Sequence, residues 1–233
     1  MPLYFGYGID VGYYVIALVA LVIGALAQGY IRRTYRKWSE VDSGIPGTGA
    51  DVARRMLEEG GAGEVGITRV DGTLTDHYDP RDNQLHLSQD NYRGGSVASV
   101  AVACHEAGHA VQAARGFVPY RLRSALVPAV SLAERSWTLV LLLGVFLNTV
   151  GLVQVALVLF AVSVVFQLVT LPVEIDASRR AVAYLGARGS GLDERGARAV
   201  LTAAALTYVA AALTSVMQLV YLLARYGNRG GRR

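Results

Sequence analysis

The feature that most constrains this chain is an apolar run, from Trp137 to Val173, that contains no Asp, Glu, Lys or Arg. As one straight helix it would extend about 55 Å, whereas the hydrocarbon core of a bilayer is about 30 Å thick. Asn148–Gly151 offers a break. We therefore predict two membrane helices, at residues 128–147 and 152–171, with Pro128 in the first turn of the former.

Two further apolar segments are long enough to cross a bilayer, at residues 9–31 and 199–224. A secretory signal peptide carries positive charge before its apolar core, and no basic residue precedes Arg32. The first segment is therefore predicted to be a retained membrane helix. With 53% hydrophobic residues in the whole chain, these segments predict a mainly α integral membrane protein with about four transmembrane helices.

Basic residues flank the apolar segments, which predicts the orientation of the chain. The segment at 9–31 is followed at once by Arg32, Arg33, Arg36 and Lys37. Because short cytoplasmic loops are rich in Lys and Arg, this cluster places the N-terminus outside, and residues 38–95 and 174–198 in the cytoplasm. The Gly/Arg-rich C-terminal tail opposes this orientation if the last segment crosses fully. The net charge of +4 is accounted for by such flanks, and no nucleic-acid partner is expected.

Residues 38–95 are polar and glycine-rich and predict a small α+β soluble insert. Thr48 is a suitable N-cap for a short amphipathic helix at 52–59, which glycines then end. Two short strands are predicted near 65–70 and 84–87, separated by turn-forming residues.

The residues most informative about function lie on a predicted helix at 96–116, which Ser96 can cap. Its small, apolar composition indicates a helix that is buried or lies against the membrane. His105 and His109 are four residues apart and therefore share one helical face, so both imidazoles can reach one metal ion. Zinc suits this donor type. Glu106, beside His105, can act as a general base toward a water molecule.

A catalytic zinc ion usually takes three protein ligands, so a third ligand must come from elsewhere in the chain. Glu174 follows the third apolar segment and should lie on the same membrane side as the histidines. Glu134 also follows them, but it stands beside Arg135 inside a predicted span, where an ion pair explains it equally well. Spacing and topology favour Glu174 and leave Glu134 as an alternative.

Four blocks of this sequence resemble the YugP-type family of bacterial neutral zinc metallopeptidases, in the same order along the chain. The blocks are Leu74–Pro80, His105–Gln112, Leu171–Ser178 and Leu201–Ala212. The resemblance implies a multi-pass protein of the bacterial inner membrane that cleaves peptide or membrane-protein substrates.

The same resemblance implies a gluzincin, with zinc bound by His105, His109 and Glu174 and with Glu106 as the catalytic residue. More distantly, the chain is similar to HtpX and CAAX prenyl proteases, which carry a Glu-x-x-x-Asp motif at the third ligand. Here Ser178 occupies the position of that Asp. Ser178 and Asp176 are therefore candidates for orienting a histidine ligand.

Several other residues have weaker signals. His77 and Tyr78 are candidates for the rim of the site, where a neutral donor could stabilise an oxyanion, although the following Asp-Pro also indicates a plain turn. His86 lies in an alternating strand pattern, which favours a plain exposed strand residue; an edge strand that pairs with substrate backbone is the alternative. Cys104 points about 100° away from His105 around the helix and is expected to be a packing residue.

These features together predict one metallopeptidase unit over residues 1–233, a membrane zincin whose partners are a peptide substrate and the lipid bilayer. A non-catalytic membrane adaptor with a structural zinc site is the main alternative. Glu106 argues against it, because a structural site does not need that carboxylate. A metal transporter is a third possibility, disfavoured because the helix that carries the histidines is a poor membrane span.

Overall fold

The computed structural model describes residues 11–227, which form seven helices and one three-stranded sheet. The elements in chain order are α1 (Val11–Ser39), α2 (Gly49–Gly60), β1 (Gly66–Val70), β2 (His77–Asp79), β3 (Gln84–Ser88), α3 (Gln89–Arg93), α4 (Val97–Ala114), α5 (Val118–Phe146), α6 (Val150–Gly186) and α7 (Gly191–Tyr226). The protein is mainly α, as predicted. Residues 9–10 of the first predicted span and the arginines after Gly227 lie outside the described residues.

Four helices, α1, α5, α6 and α7, are long and apolar enough to cross a membrane, judged by length and composition. The helices α5 and α6 are separated at Asn148, which adopts a left-handed φ of 51°. This is the break that the asparagine and glycine indicated in the sequence.

The long helices extend further than the apolar segments within them. Helix α5 begins at Val118, with Pro119 in its first turn, and Pro128 lies inside it. The predicted start of this helix at Pro128 is therefore wrong, because the helix begins ten residues earlier and continues through that proline. Helix α6 continues through Pro172 to Gly186. Part of the predicted cytoplasmic loop at 174–198 is therefore helical.

The chain divides into two compact units, which we describe separately. The apolar unit comprises residues 11–26, 122–169 and 208–227 of the described chain. Its buried core includes Leu157, Val164 and Leu222, and the ring of Trp137 stacks on that of Phe160 at 4.5 Å. Many of its large apolar side chains are exposed, which is typical of lipid-facing surfaces. The prediction of one functional unit over 1–233 stays a prediction.

The second unit, which we call the site unit, comprises residues 27–121 and 170–207. Helix α4 lies in its core, packed by α2 and by the parts of α6 and α7 that belong to the unit. Glycines permit close contacts here. For example, a Cβ at Gly196 would meet the side chain of Val97 at 2.4 Å. The helix carrying His105 and His109 is therefore held on several sides.

The remaining part of the site unit is the small α+β insert. Thr48 and Asp51 form a capping box at the start of α2, and Gly61 ends that helix with a φ of 81°. The sheet order is β1-β3-β2, in which β1 pairs parallel and β2 antiparallel with the central strand β3. The edge strand β2 lies where the sequence indicated only a turn.

Candidate metal centre

Helix α4 is almost entirely buried, which explains its small and apolar composition. Ser96 caps its first turn by accepting a hydrogen bond from the backbone N–H of Ser99. His105 and His109 lie one turn apart with their ring centroids 4.8 Å apart. Both residues are nearly buried, with exposed fractions of 9% and 6%. A polar pair in this position needs partners, because an unpaired buried polar group is costly.

The partner that both histidines share is Glu174, on helix α6. Its carboxylate oxygen Oε2 lies 3.2 Å from Nε2 of His105 and 3.6 Å from Nε2 of His109. The residue is 2% exposed. A buried carboxylate is tolerated when it is paired or when it coordinates a metal ion.

Gly108 permits this approach of α6 to α4. A Cβ at this position would lie 2.9 Å from the carbonyl oxygen of Ala177 and 3.2 Å from its Cα. These are backbone atoms, which cannot rotate away as a flexible side chain can. The glycine between the two histidines therefore allows Glu174, three residues before Ala177, to reach them.

The three donor groups fit zinc. Their ligand atoms lie within 4.8 Å of one another, and no other candidate metal-binding group of His, Cys, Asp or Glu residues is found among residues 11–227. In a tetrahedral zinc site with bonds of about 2.0–2.1 Å, two ligand atoms are separated by about 3.3 Å. Both measured separations from Glu174 are close to that value. Two imidazole nitrogens and one carboxylate oxygen also form a known catalytic donor set, which leaves a fourth position open.

The other ring nitrogen of each histidine has its own partner. Nδ1 of His105 lies 3.2 Å from the hydroxyl of Ser178, and Nδ1 of His109 lies 3.0 Å from Oε1 of Gln112. Such contacts hold the rings so that Nε2 points toward a metal. Asp176 makes neither of these two contacts with the histidine rings. Its Oδ2 instead accepts a hydrogen bond from Nε2 of Gln112 at 2.8 Å.

Glu106 lies on α4 directly after His105 and is partly exposed, unlike its neighbours on either side. Its side chain therefore points about 100° around the helix from that of His105. Partial exposure next to a buried histidine is a property that a proton-transferring group needs.

The rim candidates His77 and Tyr78 lie on β2, the edge strand. His77 stacks on His86 with ring centroids 4.6 Å apart. The Tyr78 hydroxyl donates to Oδ1 of Asn83 at 3.0 Å. Burial, and then the nearby Tyr120, raises the pKa of Tyr78, which keeps the phenol neutral. His86 is a half-buried residue of β3, and the alternative edge position is wrong because β3 is the central strand.

Two further sequence candidates are also located by the fold. Cys104 is fully buried in the core of the site unit, and burial raises the pKa of its thiol. It is a packing residue, as expected. Glu134 lies on α5 in the apolar unit and is exposed. It is not a member of the three-donor group.

Sequence reasoning missed two residues of this centre. In the sequence Gln112 is only the last residue of a family-like block, and its i+3 spacing from His109 is the one signal that points to it. Tyr120, at the start of α5, is nearly buried with its ring 6.4 Å from that of His109. No local pattern pointed to Tyr120, because its place beside His109 arises from tertiary structure.

Comparison with known proteins agrees with this centre. Residues 13–227 match the model of a protein family described as "Putative neutral zinc metallopeptidase". The chain belongs to this family. It is also 40% identical over 207 residues to the "Putative membrane protease YugP" of Bacillus subtilis (strain 168), an alignment that covers 88% of this chain and 92% of the relative. No solved structure gives a significant match.

Family membership and geometry together identify zinc as the cofactor and peptides as the substrate class of this metallopeptidase. The apolar helices and the membrane relative indicate a protein of the lipid bilayer.

Proposed function

We propose that this membrane metallopeptidase is a gluzincin-type endopeptidase, with zinc held by His105, His109 and Glu174. The observation that carries the proposal is the convergence of these three buried donors, in which the Glu174 carboxylate lies 3.2 and 3.6 Å from the two imidazole Nε2 atoms, on the helix that carries Glu106. When bound, zinc supplies Lewis acidity toward the scissile carbonyl and lowers the pKa of a water molecule at its open position.

Glu106 acts as the general base and then as the general acid. Its carboxylate accepts a proton from the attacking water and returns that proton to the nitrogen of the leaving amine. The proton transfer is local, because the carboxylate follows His105 on the same helix. The buried surroundings of α4 strengthen the electrostatic interactions at the site by excluding water.

The edge strand β2 supports a mode of substrate binding. An exposed strand edge can pair with an extended peptide through backbone hydrogen bonds. In the fold, β2 packs beside α4 through the partly buried Tyr78, which contacts the core that contains Cys104 and Ala107. A peptide paired along this strand would therefore pass close to the helix of the metal centre.

The position of Glu174 supports a site near the membrane surface on the cytoplasmic side. Glu174 follows the apolar segment 152–171 on the same continuous helix, so only about 5 Å of helix axis separates it from that segment. Arg179 and Arg180 follow shortly afterwards. Basic residues at this end, and after the first apolar segment, favour a cytoplasmic location for both.

The test compares Glu106→Gln with Glu64→Gln in purified protein, using an unstructured fluorogenic peptide mixture and zinc analysis. Glu64 is exposed in the insert and serves as a matched control. We expect Glu106→Gln to keep its zinc and to lose at least about 10²-fold in kcat, as removal of a general base does. Full residual cleavage in this variant would exclude the mechanism. Zinc-dependent stability with no hydrolysis by the wild type would favour an adaptor instead.

A further inference from the structure

Gln112 is fully buried one turn after His109, and every polar atom of its carboxamide has a partner. Oε1 lies 3.0 Å from Nδ1 of His109. On the other side, Nε2 donates to the carbonyl oxygen of Val173 at 2.8 Å and to Oδ2 of Asp176 at 2.8 Å. Gln112 thus joins α4 to α6 directly beside Glu174.

The partners of Gln112 decide which way its amide faces. A carbonyl and a carboxylate can only accept hydrogen bonds, so the NH₂ group must face Val173 and Asp176. The amide oxygen therefore faces His109. Because an amide oxygen only accepts, Nδ1 of His109 must carry the proton. Nε2 is then the nitrogen with a free lone pair, and it faces Glu174.

Asp176 is itself held in place. Its Oδ2 accepts a hydrogen bond from Nε of Arg180 at 2.6 Å, and the guanidinium group of Arg180 lies over the ring of Phe117 at 5.8 Å. The carboxylate therefore keeps its acceptor pointed at Gln112, and the amide cannot turn over without placing its oxygen against a negative charge.

His105 has no such constraint. Its Nδ1 lies 3.2 Å from the Ser178 hydroxyl, which can rotate to donate or to accept. This contact fixes the ring less strictly and does not select a tautomer. The two histidines of the centre therefore differ, and the tautomer of one is set by a side chain outside the three-donor group.

We propose that Gln112, oriented by Asp176, is a positioning residue that fixes the metal-binding tautomer of His109. The inference rests on the proposed zinc ligands. In this arrangement the Asp176 carboxylate on α6 orients the Gln112 amide, and the amide orients His109; we call this chain of contacts the relay. It explains how a chain with Ser178 in place of the usual Asp still orients a ligand histidine through a carboxylate. Side chains that orient metal-binding histidines typically contribute about 10- to 100-fold to metal affinity.

The test measures the zinc dissociation constant by competition with a chromophoric chelator, together with the visible spectrum of the cobalt-substituted protein. Gln112→Met keeps side-chain length but removes the amide, and should weaken zinc binding about 10- to 100-fold. Gln89→Met makes the same substitution at an exposed glutamine outside the centre; it is the matched control and should leave zinc affinity unchanged. An unchanged zinc affinity and cobalt spectrum in Gln112→Met would overturn the proposal.

A second pair of variants tests the relay itself and does not depend on the folding of Gln112→Met. The new carboxylate of Gln112→Glu still offers an acceptor to His109, but its other oxygen lies against the Asp176 carboxylate. Because the two negative charges repel each other, zinc binding should weaken about 10-fold. Adding Asp176→Asn supplies an amide donor to the new carboxylate and should restore affinity to within about threefold of wild type. Absence of this rescue would overturn the relay. A wild type without zinc, or a Glu174→Ala variant that keeps it, would instead refute the ligand set.

Discussion

Replacing Gly108 by Ala tests whether close approach of α6 to α4 builds the metal centre. The new Cβ would lie 2.9 Å from the carbonyl oxygen of Ala177. Restoring an ordinary contact requires a displacement of about 0.5 Å. Bond lengths in a zinc site tolerate only about 0.2 Å, so the shift moves Glu174 out of range.

The expected magnitudes follow from this displacement. Overpacking costs about 1–3 kcal/mol, and the greater helix propensity of alanine offsets about 1 kcal/mol of it. The free energy of unfolding of the metal-free protein should therefore fall by no more than about 2 kcal/mol. Zinc affinity and kcat/KM should each fall about 10- to 100-fold, because small misplacements at a site are costly.

The assay combines thermal unfolding, chelator competition and peptide hydrolysis for Gly108→Ala beside Gly29→Ala. Gly29 is also helical, but nothing lies within 4 Å of a Cβ placed there. The control should therefore match wild type in zinc affinity and activity. If Gly108→Ala also binds zinc as tightly as wild type, the argument from helix approach is refuted.

Two further predictions concern the cofactor and the orientation in the membrane. Removing the metal with a chelator should abolish hydrolysis, and added zinc should restore it. The free energy of unfolding of the metal-free protein should be about 2.7 kcal/mol lower than that of protein in free zinc at 100 times the Kd. Hydrolysis that survives complete zinc removal would contradict this prediction. In intact cells, a membrane-impermeant thiol reagent should label Leu147→Cys but not Thr73→Cys, which reacts only after permeabilisation. The native Cys104 stays unlabelled because it is buried and its thiol pKa is raised. The reverse labelling pattern would contradict the predicted topology.

Local signals in the sequence predicted much of the fold because those signals act over one or two helical turns. Thr48 caps α2 and Ser96 caps the helix of the two histidines, as the sequence indicated. The four apolar segments appear as long helices because membrane-length hydrophobicity is a strong pattern. The two-histidine face required only the 3.6-residue period of a helix.

Features that depend on tertiary contacts were beyond sequence reasoning. The strand β2 is too short for an alternating pattern, and it forms because β3 offers backbone partners. The continuation of α6 past Pro172 was hidden because proline usually ends a helix. The role of Gln112 depends on acceptors more than sixty residues away, on another helix.

The choice of third ligand illustrates the same limit. Glu174 and Glu134 each follow the histidines at a plausible distance in sequence, and composition alone does not separate them. In the fold, Glu174 is buried against both imidazoles, whereas Glu134 is exposed on α5. This difference makes the two glutamates a natural pair for testing the centre.

The most direct measurement is therefore the zinc content of purified wild type, Glu174→Ala and Glu134→Ala by mass spectrometry. The proposed centre predicts about one zinc per chain in wild type and in Glu134→Ala, and essentially none in a folded Glu174→Ala. Full zinc content in Glu174→Ala, or none in a folded wild type, would contradict it.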